Sequence, residues 1–77
     1  VSILADSNIG SFNIINDSIS ISCDVQIENY NYLSSNVSLG DNIILKNNIF
    51  VGMNAIILPN MEIPNDCIIS DGSINGD

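Results

Sequence analysis

Residues 37–63 read VSLGDN IILKNN IFVGMN AIILPN MEI, and broken into sixes they align with themselves. In each block the third residue is aliphatic (Leu39, Leu45, Val51, Ile57, Ile63) and the sixth is asparagine (Asn42, Asn48, Asn54, Asn60). The same step of six runs outward in both directions. Ile3, Ile9, Ile15, Ile21, Ile27 and Leu33 precede the stretch and Ile69 follows it, so twelve consecutive positions are Ile, Leu or Val. Two residues before each aliphatic lies a second, smaller column: Val25, Val37, Ile43, Ile49, Ala55, Met61 and Cys67, with Ser7, Asn13, Asn31 and Ser73 as polar or small members. Three residues after the aliphatic come Asn36 to Asn60 in steps of six, then Asp66. Asn and Asp tolerate left-handed backbone at little cost, which makes this turn chemistry. Each hexad is therefore a short strand with two inward side chains, closed by a corner. A helix needs a period of about 3.6, and neither a helix nor a hairpin fits. Pro59 and Pro64 fall at corners, where a missing N–H does no harm.

Short strands that turn corners without reversing make a parallel β-solenoid. The pattern resembles the hexapeptide repeat of the left-handed parallel β-helix, in which three hexads close a triangular coil. The resemblance implies an all-β fold of about four 18-residue coils over residues 1–77, and it alone supplies the handedness. Residues eighteen apart then stack like neighbouring strands. Asn29, Asn47 and Asn65 form an amide column, Phe12 meets Tyr30, and Glu28 becomes the stacking neighbour of Lys46. Gly10, Gly40, Gly52 and Gly72 fall at corners, with no phosphate loop around them.

Composition narrows the function. Nine acids face one base, Lys46, for a net charge of −8. Nucleic acid and anionic membrane surfaces need clustered Lys and Arg, so neither is an expected partner. Leu, Ile and Val make up 25 of the 77 residues, too many for a disordered chain. Histidine is absent, which removes imidazole bases, His-ligated zinc (including a three-histidine carbonic anhydrase site) and Ser–His triads. Threonine is absent too, which argues against the flat threonine arrays of ice-binding β-helices. Cys23 and Cys67 are too few for a disulfide framework, and Cys67 reads as a small inward hydrophobe. Asp6 and Asp24 stack without a ligand loop, so no metal is expected. No apolar run approaches the ~18 residues of a membrane span and none resembles a signal peptide, so a cytoplasmic protein is expected.

Outward positions separate the three faces. One carries Asn8, Gln26, Ile44 and Glu62; another Ser2, Ser20, Ser38, Ile56 and Ile74; the third Ile14, Tyr32, Phe50 and Ile68. A contiguous apolar stripe on an outward face marks a contact surface. The third face is the expected subunit interface, the alternative being cover by a C-terminal helix that these residues do not contain.

The segment IFVGMNAIILPNMEIPNDCIISDGS (49–73) resembles the last coils of hexapeptide acyltransferases, closest to those acetylating sialic acid or an amino-sugar nucleotide such as the bacillosamine precursor. CDVQIENYNYLSSNVSLGDN (23–42) runs parallel to that family without a gap. The resemblance implies a homotrimer with acetyl-CoA in the groove between subunits, a sugar or nucleotide-sugar acceptor, and an upstream sugar-nucleotide-binding domain that these residues do not contain. The family's general base is a histidine, often followed by an acid. That pair falls on Cys23 and Asp24, and an alternative histidine position falls on Asp41. A base works best with a pKa near the working pH, and thiols and carboxylates ordinarily titrate on either side of it. Acetyl-CoA contacts fall on Tyr32, Met53 and Asp71. The expectation is a sugar acetyltransferase domain with an impaired site. The alternative is a non-catalytic β-helix serving as a structural or oligomerisation module.

Overall fold

A computed structural model describes residues 2, 3 and 6–76. It contains strands β1 (Ser2–Ile3), β2 (Asn8–Ile9), β3 (Ile14–Ile15), β4 (Ser20–Ile21), β5 (Gln26–Ile27), β6 (Tyr32–Leu33), β7 (Ser38–Leu39), β8 (Ile44–Leu45), β9 (Phe50–Val51), β10 (Ile56–Ile57), β11 (Glu62–Ile63), β12 (Ile68–Ile69) and β13 (Ile74–Asn75), and no helix among the described residues. Three parallel sheets run β1-β4-β7-β10-β13, β2-β5-β8-β11 and β3-β6-β9-β12. Every pairing joins residues eighteen apart, such as Ser20↔Ser38, Gln26↔Ile44 and Tyr32↔Phe50. The chain is a parallel β-solenoid of about four turns, the architecture of a left-handed β-helix.

The corners explain why the chain keeps turning. Twelve residues, spaced by six from Asp6 to Gly72, have φ between 58° and 70°. Nine of them are Asp, Asn or Gly, and Ser18 is a tenth. The other two are Phe12 and Tyr30, and left-handed backbone is a genuine outlier for bulky side chains. At most corners this residue sends its N–H back one coil, as Asn42 does to the Cys23 carbonyl at 3.0 Å and Gly72 to the Met53 carbonyl at 2.7 Å.

Both inward columns fill the interior. From Ile21 to Ile69 every member of the six-residue series is buried, joined by Ile19, Val25, Val37, Ile43, Ile49 and Ala55. Ile15, Met61 and Cys67 pack against this core while partly exposed. Burying an Ile, Leu or Val side chain contributes roughly 1.5–3 kcal/mol, so the fourteen buried here supply the main driving force. Ile3 and Ile9 belong to the same series but are 48% and 37% exposed, because their coil has a neighbouring coil on one side only.

Polar inward residues are bonded. Asn31, 2% exposed, accepts from the Ile49 N–H at 2.9 Å and donates to the Lys46 carbonyl at 2.7 Å. Asn13 repeats this one coil earlier, toward the Asn31 N–H and the Glu28 carbonyl. Among the described residues no buried side-chain polar atom lacks a partner.

Lys46 pairs with Glu62 at 3.5 Å, whereas the Glu28 carboxylate accepts from Asn47 Nδ2 at 3.1 Å. Glu28 and Lys46 are stacking neighbours, as the spacing of eighteen implies, and the lysine reaches diagonally to the coil on its other side. Gly72 alone among the glycines needs its left-handed φ, at +70°. Gly40 and Gly52 are required for space: a Cβ at Gly40 would lie 2.9 Å from Pro59 ring atoms, and one at Gly52 2.6 Å from the Asp71 nitrogen.

Candidate functional site

The candidate residues fall at two different corners. Cys23, Asp24 and Asp41 lie where the chain leaves the β1-containing sheet, between β4 and β5 and between β7 and β8. Met53 and Asp71 lie where it enters that sheet, between β9 and β10 and between β12 and β13. Tyr32 stands on β6 in the sheet that runs into this second corner. Within one chain, then, Cys23, Asp24 and Asp41, expected as the base region, group at one corner, and Met53 and Asp71, expected as cofactor contacts, group at another. The two groups sit at opposite edges of the same sheet, the first after β4 and β7 and the second before β10 and β13.

At the first corner Asp41 Oδ1 accepts the Cys23 backbone N–H at 3.0 Å. The thiol of Cys23 is free and half-buried, Asp41 is exposed, and Asp24 is exposed at the left-handed position (φ 58°). A left-handed corner residue turns its own N–H toward the preceding coil, which leaves the N–H just before it facing the following coil. An Asp or Asn side chain eighteen residues on fills that need. Asn47 caps the Asn29 N–H and Asn65 the Asn47 N–H, both at 2.9 Å.

Asp71 is a member of the same series. Its Oδ1 accepts the Met53 N–H at 2.9 Å and sits over Gly52, where a Cβ would collide with it. The carboxylates of Asp41 and Asp71 thus each hold a neighbouring coil in place. The backbone N–H of Met53 is thereby bonded within the chain.

Beside the second corner the sheet of β3, β6, β9 and β12 presents Ile14, Phe50 and Ile68 outward at 55%, 42% and 77% exposure, with Tyr32 half-buried between them. The Tyr32 and Phe50 rings stack with centroids 5.3 Å apart and planes 7° from parallel. Asn16 Nδ2 donates to the Tyr32 hydroxyl at 2.9 Å, which fixes that ring. The apolar stripe read from the outward positions is therefore continuous and solvent-facing.

The described residues enclose no pocket and contain no group of three His, Cys, Asp or Glu able to hold a metal ion. No helix among them is long and apolar enough to cross a membrane. Residue type alone does not give Asp41 and Asp71 their capping role, although the asparagine column at Asn29, Asn47 and Asn65 carries its signal. No family model matches the chain, and no curated protein or solved structure does so either.

Proposed function

We propose that the chain is the β-helical domain of an acetyl-CoA-dependent sugar O- or N-acetyltransferase, with a catalytic position that lacks a competent base. The observation that carries this reading is the separation of the two residue groups. Cys23, Asp24 and Asp41 share one corner, and Met53 and Asp71 share another beside the outward-facing Tyr32–Phe50 stack. A trimer packed through that apolar face would use the two corners from different subunits to build one site.

In the reaction the acceptor oxygen or nitrogen attacks the thioester carbonyl, its bond to carbon forms, the carbon–sulfur bond breaks, and the acceptor proton ends on the departing thiol. A positioned base contributes ~10²–10⁴-fold to such a step. At the base position this chain has Cys23, with Asp41 spent on the Cys23 N–H. The other corner suits a polyanionic donor poorly, because Asp71 places a carboxylate there and occupies the Met53 N–H.

Titration of the whole chain with acetyl-CoA by calorimetry tests the reading. Weak binding is expected, strengthened by Asp71→Ser, which removes the opposing charge. The absence of binding by both proteins, with a trimer seen in light scattering, contradicts it. That outcome supports the second reading, a non-catalytic oligomerisation module, which is favoured by the use of both carboxylates as caps between coils.

A further inference from the structure

The corner between β2 and β3, repeated between β5 and β6, breaks the rule that every other left-handed position obeys. At the remaining ten such positions stand Asp, Asn, Ser or Gly; here stand Phe12 and Tyr30, with φ of 60° and 61°. Bulky side chains resist this backbone, and such strain concentrates at functional sites. The two rings have little part in the core. Phe12 is 74% and Tyr30 61% exposed, and they stack on one another at 5.1 Å with planes 7° apart.

Two carboxylates neighbour the stack, one along its column and one along the chain. Continuing its column by eighteens leads through Asn48 to Asp66, whose Oδ1 accepts from Asn48 Nδ2 at 2.7 Å. Glu28 lies two residues before Tyr30 and is tied to Asn47. The chain's one base, Lys46, is paired with Glu62, and the sequence has no arginine. Exposed aromatic faces attract cations, arginine most often, and the carboxylates supply the matching ion-pair acceptors.

We propose that the Phe12–Tyr30 corner is a docking site for an arginine-bearing segment of a partner protein. One guanidinium stacks on the face of Phe12 that Tyr30 leaves open while another reaches Asp66, three rungs along the column and roughly 14 Å away at the strand spacing. The −8 charge draws the partner in, and the rings select arginine over lysine. This site is separate from the acetyl-transfer residues and does not rest on that activity.

The test compares octa-arginine with octa-lysine, binding to the whole chain by fluorescence polarisation at two salt concentrations. The variant is Phe12→Asn with Tyr30→Asn, which installs the residue the other corners use and so relaxes the backbone. Wild type should bind octa-arginine more tightly than octa-lysine. The double variant should melt at a higher temperature, lose about tenfold in affinity for octa-arginine, and keep its affinity for octa-lysine. Equal binding of the two peptides by wild type, unchanged octa-arginine binding by the variant, or equal loss for both peptides would each overturn the proposal.

Discussion

The side chain of Asp41 holds the backbone of Cys23 from eighteen residues away, Oδ1 to N–H at 3.0 Å. The bond needs an acceptor oxygen, not a charge, and Asn47 makes the equivalent bond to Asn29 at 2.9 Å. Asp41→Asn should therefore leave stability nearly unchanged. Asp41→Ala should cost about 1 kcal/mol, the ordinary net contribution of one hydrogen bond. Urea denaturation of both variants checks this; equal losses would mean that charge, not geometry, is what Asp41 supplies.

Asn31 is the polar residue on which the interior depends. Replacing it by Ala strands the Ile49 N–H and the Lys46 carbonyl together. Unpaired buried groups cost about 1–3 kcal/mol each, so a loss of about 2–6 kcal/mol is expected. A drop in the denaturation midpoint below that of Asp41→Ala confirms the order; equal midpoints contradict it.

Gly52 is required for the approach of the next coil rather than for its backbone angle. Gly52→Ala should destabilise the fold by about 1–3 kcal/mol, as overpacking does. Adding Asp71→Ala should not restore it, because the Asp71 nitrogen itself lies 2.6 Å from where the Cβ would sit. Thermal melts of the single and double variants decide the point, and full rescue would show that the side-chain clash alone matters.

The stripe of Ile14, Tyr32, Phe50 and Ile68 is the surface through which we expect three chains to associate. Phe50→Asp places a charge in what would be a desolvated contact, a change that costs several kcal/mol in buried interfaces. Light scattering should report a trimer for wild type and a shift to monomer for the variant. Monomer mass for both proteins removes the interface.

The six-residue period makes most of this fold legible in the residues themselves. It marks the core from Ile21 to Ile69, separates the three outward faces, and implies the eighteen-residue stacking that brings Phe12 onto Tyr30. What it misses are interactions that leave the vertical column. Lys46 reaches Glu62, sixteen residues on, because a long side chain spans diagonally across a sheet. Asn13 and Asn31 donate to carbonyls fifteen residues on, around the bend of the corner. The left-handed backbone at Phe12 and Tyr30 is hidden for another reason: aromatic residues carry no turn signal, so only the period places them at a corner. At the candidate site, residue types expose the lack of histidine. They do not reveal that Asp41 and Asp71 are engaged by backbone N–H groups, since a capping carboxylate and a catalytic one look alike in sequence.

Thiol release from acetyl-CoA in the presence of an amino-sugar nucleotide, measured for wild type and Cys23→His, tests the central claim most directly. The histidine would stand beside Asp24, and the Cys23 N–H cap from Asp41 does not depend on the side chain it replaces. The account predicts wild-type release near background and a rise of ~10²-fold or more in the variant. Robust turnover by wild type, or background release by both proteins, would contradict it.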